Sequence, residues 1–190
     1  FFLIHEFSHC LKLLWTDKLG QISLAVTTLF WGAGATLQFI VLKWAEVAMN
    51  YPLNQAAQLQ GVVAVGIAVG AVMAARWISL RQSVKVIPLG IAMGIVVMAM
   101  ILVKDLWIAI ALLMLIGGLA GFFVVPMNAL LQHRGHILMG AGHSIAVQNF
   151  NENLSILAML LLYALLIWFE VHIYIVIAAF GLFVSVMMAL

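Results

Sequence analysis

The stretch LWIAIALLMLIGGLAGFFVVPMNALL, from Leu106 to Leu131, carries no charged side chain and decides the class of fold. A hydrocarbon core of about 30 Å is crossed by a helix of about 20 mostly apolar residues, so this stretch is long enough to span a bilayer. Water is a poor solvent for a helix that is apolar on all sides, and lipid is a good one. The stretch therefore predicts a transmembrane helix.

The rest of the chain has the same character. It has 190 residues, of which 67% are hydrophobic and 7% charged, and its mean hydropathy is +1.24. A soluble domain usually carries about 25% charged residues. We expect an all-α, polytopic membrane protein, because a helix satisfies its own backbone in lipid and runs such as Ile91 to Val103 lack the alternation of a membrane barrel strand. The expected spans of the six-helix bundle, residues 19–190, are about 19–47, 55–79, 84–103, 106–131, 139–169 and 172–190.

Short polar segments separate these spans. The expected breaks are the turn 50–54, the basic stretch 76–85, Lys104-Asp105, a polar loop at 132–136 and the weak separator 170–172. Inside the spans, Gly66 and Gly70, Gly90 and Gly94, and Gly117 and Gly121 have the small-xxx-small spacing that lets helix backbones approach closely. The spans are therefore expected to pack against one another.

Residues 1–18 form a separate amphipathic segment, with Phe7, Cys10 and Leu14 on one side of a helix and His9 and Lys12 on the other. Such a helix either lies at the lipid headgroups or acts as a linker packed on protein, and the sequence leaves both open. Phe1 and Leu190 are expected to be limits within a longer chain. Six of the eight basic residues fall on the side of the N-terminal segment, which predicts that both ends are cytoplasmic.

The polar residues between Gly140 and Ser155 are the main functional candidates. The set that shares one helical face is Ser144, Gln148, Asn151, Glu152 and Ser155, and Asn149 and Asn153 widen it. Glu152 is the only acidic residue deep within a predicted span, and a central acidic residue costs about 2.5–3.5 kcal/mol on insertion scales. This face is expected to line a cavity on the open side of the bundle. The alternative is a hydrogen-bond network that only fixes helix packing.

Other candidates lie on two further spans. Pro126 bends its helix, either as a gating element or as a fixed kink, and Asn128 follows the bend. Trp31 and Gln38 share a face with Thr28 and are candidates for the same path. The remaining polar groups have plainer interpretations: Lys43 and Glu46 as an ion pair, and Arg134 with His133 and His136 as topological charges.

Catalytic, metal and nucleic-acid signatures are weak. The pairs His5/His9 and His133/His136 have no third ligand arranged in sequence, so no metal or cofactor is predicted. No zinc-protease, nucleophile-elbow or phosphate-loop motif occurs, and His143 and Ser144 diverge on a helix because they are adjacent. We predict that the chain is not an enzyme and does not bind nucleic acid.

Three strings carry a specific resemblance: FWGAGATLQF (Phe30–Phe39), GFFVVPMNALLQHRG (Gly121–Gly135) and GAGHSIAVQNFNENLSIL (Gly140–Leu157). Together they resemble the bacterial lysophospholipid transporters of the major facilitator superfamily. The resemblance covers essentially the whole chain and matches the C-terminal half of that family, its linker and its last six helices. One departure is Gln38, where some relatives carry an Arg.

The resemblance implies that the chain moves lysophospholipids, chiefly lysophosphatidylethanolamine, across the bacterial inner membrane for reacylation. It implies an N-terminal six-helix half as partner, and an associated acyltransferase or acyl carrier protein synthetase. It also implies inverted three-helix repeats, residues 19–103 matching 106–190. The alternatives are a structural six-helix subunit, or an intramembrane acyltransferase or hydrolase.

Overall fold

The computed structural model describes residues 2–190, with side chains from His5 onward, and its elements are all helical. The α-helices are α1 (Phe2–Thr16), α2 (Lys18–Met49), α3 (Leu53–Trp77), α4 (Ile87–Met98), α5 (Leu106–Met139), α6 (Ala141–Trp168) and α7 (Ile173–Ala189). Two 3₁₀ segments, Leu80–Val86 and Ala99–Leu102, flank α4. The expected all-α class is confirmed.

The lengths and compositions of these helices are those of a multi-pass membrane protein. Five helical segments are long and apolar enough to cross a bilayer, with α4 and its 3₁₀ flanks counted as one, and α7 is a shorter apolar helix of 17 residues. The helices run alternately up and down. We call the end at which α2, α4 and α6 begin the α1 end, because α1 lies there. The six basic residues assigned to one side by the sequence lie in the segments at this end: Lys12, Lys18, Arg76, Arg81, Lys85 and Arg134.

The breaks between helices follow local chemistry, with one correction to the sequence-based expectation. Asn50 ends α2 with φ of 54°, and Asp105 starts α5 by accepting hydrogen bonds from two backbone N–H groups. The loop predicted at 132–136 is wrong, because α5 continues through it to Met139 and stops at Gly140, whose φ is +82°. Gly135 is used for helix contact rather than for a turn: a side chain there would overlap Ser144 of α6.

The span predicted at 84–103 is an α-helix, α4, with a 3₁₀ turn at each end. The largely apolar sequence of this span did not indicate these turns. In the 3₁₀ turn after α4, the carbonyl oxygen of Met100 accepts a hydrogen bond from the Val103 N–H at 3.2 Å. The indole Nε1 of Trp44, a fully buried side chain of α2, donates to that oxygen at 2.9 Å. This second hydrogen bond to the same carbonyl oxygen ties α2 to the end of this span.

Among α2 to α7, the set of helix pairs that are in contact stays the same when α2, α3 and α4 are exchanged with α5, α6 and α7, respectively. The pair α2–α6 becomes α5–α3, α2–α3 becomes α5–α6, and α2–α7 becomes α5–α4. The pairs α4–α7 and α2–α5 are unchanged by the exchange. Since α2 and α5 run in opposite directions, this is the packing pattern that an inverted three-helix repeat requires.

Glycines set the closest helix crossings, as their spacing predicted. A methyl group on Gly70 of α3 would lie well under 3.0 Å from the carbonyl oxygen of Gly118 in α5, and Gly121 meets the carbonyl oxygen of Ile67 in the same way. Gly94 of α4 meets Gly181 of α7. The helix backbones are in direct contact at these points. This contact strengthens the van der Waals attraction between the helices and leaves no room for a side chain.

The amphipathic helix α1 packs on protein. Its buried residues Cys10 and Leu14 form a small core with Leu24 of α2, Leu131 of α5 and Val147 of α6. This is the second of the two placements that the sequence left open for its apolar side. The same helix exposes Lys12, whose charge stays outside this core.

We predict that Gly70→Ala destabilises the bundle by roughly 1–3 kcal/mol, because the added methyl group overlaps the α5 backbone. Gly61→Ala in the same helix is the matched control, since a methyl group there meets nothing within 4 Å. Melting temperatures of the two variants of the full-length protein in detergent test this. Equal melting temperatures would show that the α3–α5 crossing does not limit stability.

Candidate functional site

The polar face of α6 is held by hydrogen bonds along the helix. Gln148 Nε2 donates to Glu152 Oε1 at 2.8 Å, and Asn151 Nδ2 donates to the carbonyl oxygen of Val147 at 2.8 Å. On the outer side of the helix, Asn153 Nδ2 donates to the carbonyl oxygen of Asn149 at 2.7 Å. Glu152 therefore has a neutral amide as its hydrogen-bond donor.

Burial divides the predicted candidates of α6 into two groups. Ser144 and Gln148 are buried against the bundle, and Asn151 and Glu152 are partly buried. Asn149 is exposed on another side of the helix. The structure thus brings four of these candidates to the inward face and leaves Asn149 outside it.

Three contacts fix how α6 lies along α2. Leu24 shares a buried cluster with Val147, a side chain at Gly32 would overlap Ser155, and the Tyr163 hydroxyl donates to the carbonyl oxygen of Phe39 at 3.3 Å. The two helices run in the same direction with a constant register. Thr28, one turn from both Leu24 and Gly32, therefore lies at the height of Asn151 and Glu152.

The contacts between α5 and α6 place Asn128 at the same height. Gly135 lies against Ser144, and Leu131 lies with Val147 in one cluster, so these antiparallel helices bring residue 128 opposite residue 151. We call the set Thr28, Asn128, Gln148, Asn151 and Glu152 the polar level. Three different helices contribute to it.

Two oxygen atoms of the polar level stand out because they are buried and make no hydrogen bond within the described chain: Thr28 Oγ1 and Asn128 Oδ1. Other buried hydroxyls of α2 are satisfied by their own helix, since those of Ser23, Thr27 and Thr36 donate to backbone carbonyls one turn earlier. Buried polar groups are almost always paired, so two unpaired ones at one height require an explanation.

An apolar cavity of about 570 Å³ adjoins the polar level on the side away from α1. Its walls come from α2 to α7 and include Trp31 and Gln38, two candidates from the sequence. Ile156 also lines it and lies one turn beyond Glu152 on the same side of α6. The cavity volume lies in the ~300–1,000 Å³ range of pockets that bury a small molecule.

Gln60 is a cavity residue that the sequence reasoning missed. It lines the wall from α3, and its Nε2 donates to the carbonyl oxygen of Gln38 at 2.7 Å. A glutamine within the apolar span 55–79 was the available signal. The ion pair predicted between Lys43 and Glu46 is present, with Lys43 Nζ 3.0 Å from Glu46 Oε2.

Pro126 is buried inside α5, which continues past it as one helix to Met139. Because proline has no N–H, the carbonyl oxygen of Phe122, one turn earlier, receives no hydrogen bond from residue 126. Asn128 lies two residues further along the helix. A gating role for Pro126 stays a prediction.

An ion pair that the sequence did not predict closes the α1 end. Asp17 caps α2 by accepting from the Gly20 N–H at 2.7 Å, and Arg134 of α5 donates from Nε to the same Oδ1 at 2.9 Å while its Nη2 pairs with Oδ2. Hydrogen bonding from Arg134 holds the pKa of the Asp17 carboxyl below its ordinary value, against the opposing effect of partial burial. Arg134 thus has a structural partner besides its place in the charge distribution.

Comparison with known proteins places the chain beside one class of transporter. It is 46% identical over 162 residues to lysophospholipid transporters LplT of Yersinia pestis and Yersinia pseudotuberculosis. The match covers 85% of this chain and 40% of each relative, so the chain spans well under half the length of the curated relatives it matches. No protein-family model and no solved structure matches the chain. The resemblance predicted from the three sequence strings is confirmed.

We predict that Asp17→Asn lowers stability by about 1 kcal/mol at neutral pH, near the upper end for a partly exposed ion pair. Asn keeps the helix cap and loses the charge. Since the folded-state pKa of Asp17 is depressed, its contribution is present above the unfolded pKa and is lost as pH falls through the folded value. The melting-temperature gap between wild type and variant should therefore close in acid.

The control is Glu46→Gln, which removes the exposed Lys43 pair and should change the melting temperature by less. A gap for Asp17→Asn that is the same at neutral and acid pH would contradict the ion-pair explanation.

Proposed function

We propose, from the premise that this chain is a relative of the lysophospholipid transporters, that it forms part of a membrane transporter for lysophospholipids, chiefly lysophosphatidylethanolamine. The observation that carries the proposal is the junction of the polar level with the apolar cavity. A lysophospholipid has one polar head and one acyl tail. A path for it needs both kinds of wall side by side.

In this proposal the headgroup passes the polar level and the tail occupies the apolar cavity. Glu152 offers the one negative charge on that level and is suited to the ammonium group of the ethanolamine head. Gln148, Asn151, Ser144 and Asn128 supply neutral hydrogen-bonding groups, and Trp31 and Gln38 border the tail. The position of Asn149 on the exposed side favours a contact outside this path.

We further propose that the chain works as the C-terminal half of a major facilitator superfamily transporter in the bacterial inner membrane. The exchange pattern of its helix pairs supports this assignment. The excess of Lys and Arg at the α1 end supports a cytoplasmic position for that end. A second six-helix half would cover the exposed apolar side of α6, and an acyltransferase or acyl carrier protein synthetase would act on the delivered lipid.

We predict that Glu152→Gln lowers uptake of labelled lysophosphatidylethanolamine by about 10-fold while the melting temperature stays near that of wild type. The loss corresponds to one hydrogen bond to a charged group, worth about 1.5–3 kcal/mol. Gln keeps the shape and an acceptor for Gln148. The measurement is uptake into cells that lack other routes, beside the melting temperature of the purified full-length variant.

Glu170→Gln is the control for this measurement, since it makes the same chemical change in the exposed turn after α6. Uptake by Glu152→Gln at the wild-type rate would reject a charge-dependent role. A fall in stability without a selective fall in uptake would favour the packing network.

We predict that Gly34→Phe reduces uptake of long-chain lysolipids by about 10-fold and spares short-chain ones, because the ring occupies part of the ~570 Å³ cavity. Gly34 lines this cavity, and a side chain there meets nothing within 4 Å at its Cβ. Gly61→Phe is the matched control, since Gly61 is equally open and does not line the cavity. An equal effect on all chain lengths would argue against a tail site.

A further inference from the structure

The polar level contains more oxygen acceptors than its own donors satisfy. Thr28 Oγ1 and Asn128 Oδ1 are buried and make no hydrogen bond to any residue of the described part of the chain. Asn151 uses its Nδ2 on the Val147 carbonyl, which leaves its Oδ1 as an acceptor. Glu152 receives one hydrogen bond, from Gln148.

Among the described side chains, the negative charge at this height also lacks a positive partner. Glu152 is the single charged side chain of the polar level, and its hydrogen-bond donor is neutral. The nearest basic residue along α5, Arg134, is already paired with Asp17. A carboxylate in a membrane interior needs a positive partner or a proton, because hydrocarbon does not solvate its charge.

We infer that Thr28, Asn128 and Glu152 form a binding site for Na⁺. Oxygen atoms from a hydroxyl, an amide and a carboxylate are the ligands that hard cations prefer. The single carboxylate balances one positive charge, so Na⁺ and the ammonium group of the lipid head would compete for Glu152 rather than bind to it together. In residues 2–190, with side chains from His5, no group of three His, Cys, Asp or Glu side chains comes together, so the site suits a monovalent ion better than a divalent or transition metal.

The ion would also explain why Thr28 differs from its neighbour. The Thr27 hydroxyl donates to the Ser23 carbonyl at 2.8 Å, the usual arrangement for a buried threonine in a helix. The Thr28 hydroxyl has no such bond and lies on the α6-facing stripe between Leu24 and Gly32. The Thr28 hydroxyl oxygen receives no hydrogen bond in the described part of the chain, so both of its lone pairs can serve a cation.

The site lies on the proposed substrate path, and a role for the ion in transport rests on the proposed function. Ion binding itself does not, because it is measured without transport. The experiment is thermal unfolding of the full-length protein in detergent without lysolipid, in NaCl and in choline chloride of equal ionic strength. Na⁺ should raise the melting temperature by about 3 °C or more at saturation. Thr28→Val and Glu152→Gln should abolish the shift.

Two variants keep the test sharp. Thr27→Val removes a hydroxyl of the same helix that is already satisfied and should leave the Na⁺ shift unchanged. Thr28→Ser retains the hydroxyl and should retain the shift, which separates loss of a ligand from loss of fold. A Na⁺ shift equal in wild type, Thr28→Val and Glu152→Gln would overturn the assignment.

A further arm distinguishes Na⁺ from the ammonium group of the substrate. In choline chloride, lysophosphatidylethanolamine is compared with the amine-free lysophosphatidylglycerol. If only the amine lipid stabilises the protein and Na⁺ does not, the site belongs to the headgroup and the Na⁺ assignment is wrong. If the protein shows no lysolipid uptake but keeps a Thr28-dependent Na⁺ shift, the transport proposal fails and the ion site stands.

Discussion

Hydrocarbon offers no hydrogen bonds, and this constraint orders the whole α2–α7 bundle. Side chains from neighbouring helices add hydrogen bonds to backbone carbonyls, as when Trp44 donates to the Met100 carbonyl. Hydroxyls such as that of Thr36 turn back onto their own helix. Within the residues that the structure describes, Thr28 Oγ1 and Asn128 Oδ1 have neither kind of hydrogen bond, and both lie at the height of Glu152. These two atoms support the proposal that another molecule or ion binds at the polar level.

Close backbone contact is the second consequence of the same medium. Lipid is as apolar as leucine, so helices associate through dispersion and through small residues rather than through a hydrophobic effect. Gly70 and Gly121 bring α3 and α5 together, and Gly94 and Gly181 join α4 to α7. At these crossings the helix backbones are in direct contact, and α6 keeps a long exposed apolar side. The bundle is therefore closely packed at these crossings and exposed along α6.

Much of this was predictable from sequence, because span length, helical periodicity and glycine spacing are local properties. The polar face of α6 followed from residue spacing alone. The Asp17–Arg134 pair and the contribution of Thr28 did not, since they depend on the register between helices far apart in the chain. The predicted loop at 132–136 failed for a related reason. Its polar residues belong to the last turns of α5, and Gly135 allows close contact with Ser144 of α6 rather than forming a turn.

The α1 end and the polar level are built from the same three helices, α2, α5 and α6. Arg134 ties the last turns of α5 to the start of α2, and α1 buries Cys10 and Leu14 against α2, α5 and α6. These are the three helices that form the polar level. A change in their spacing at the α1 end would alter the distances among Thr28, Asn128 and Glu152. This level lies about two turns along α5 from Arg134 and about three turns along α2 from Asp17. An ion or headgroup bound at that level would in turn favour one spacing, because binding to one arrangement of helices shifts the population toward it.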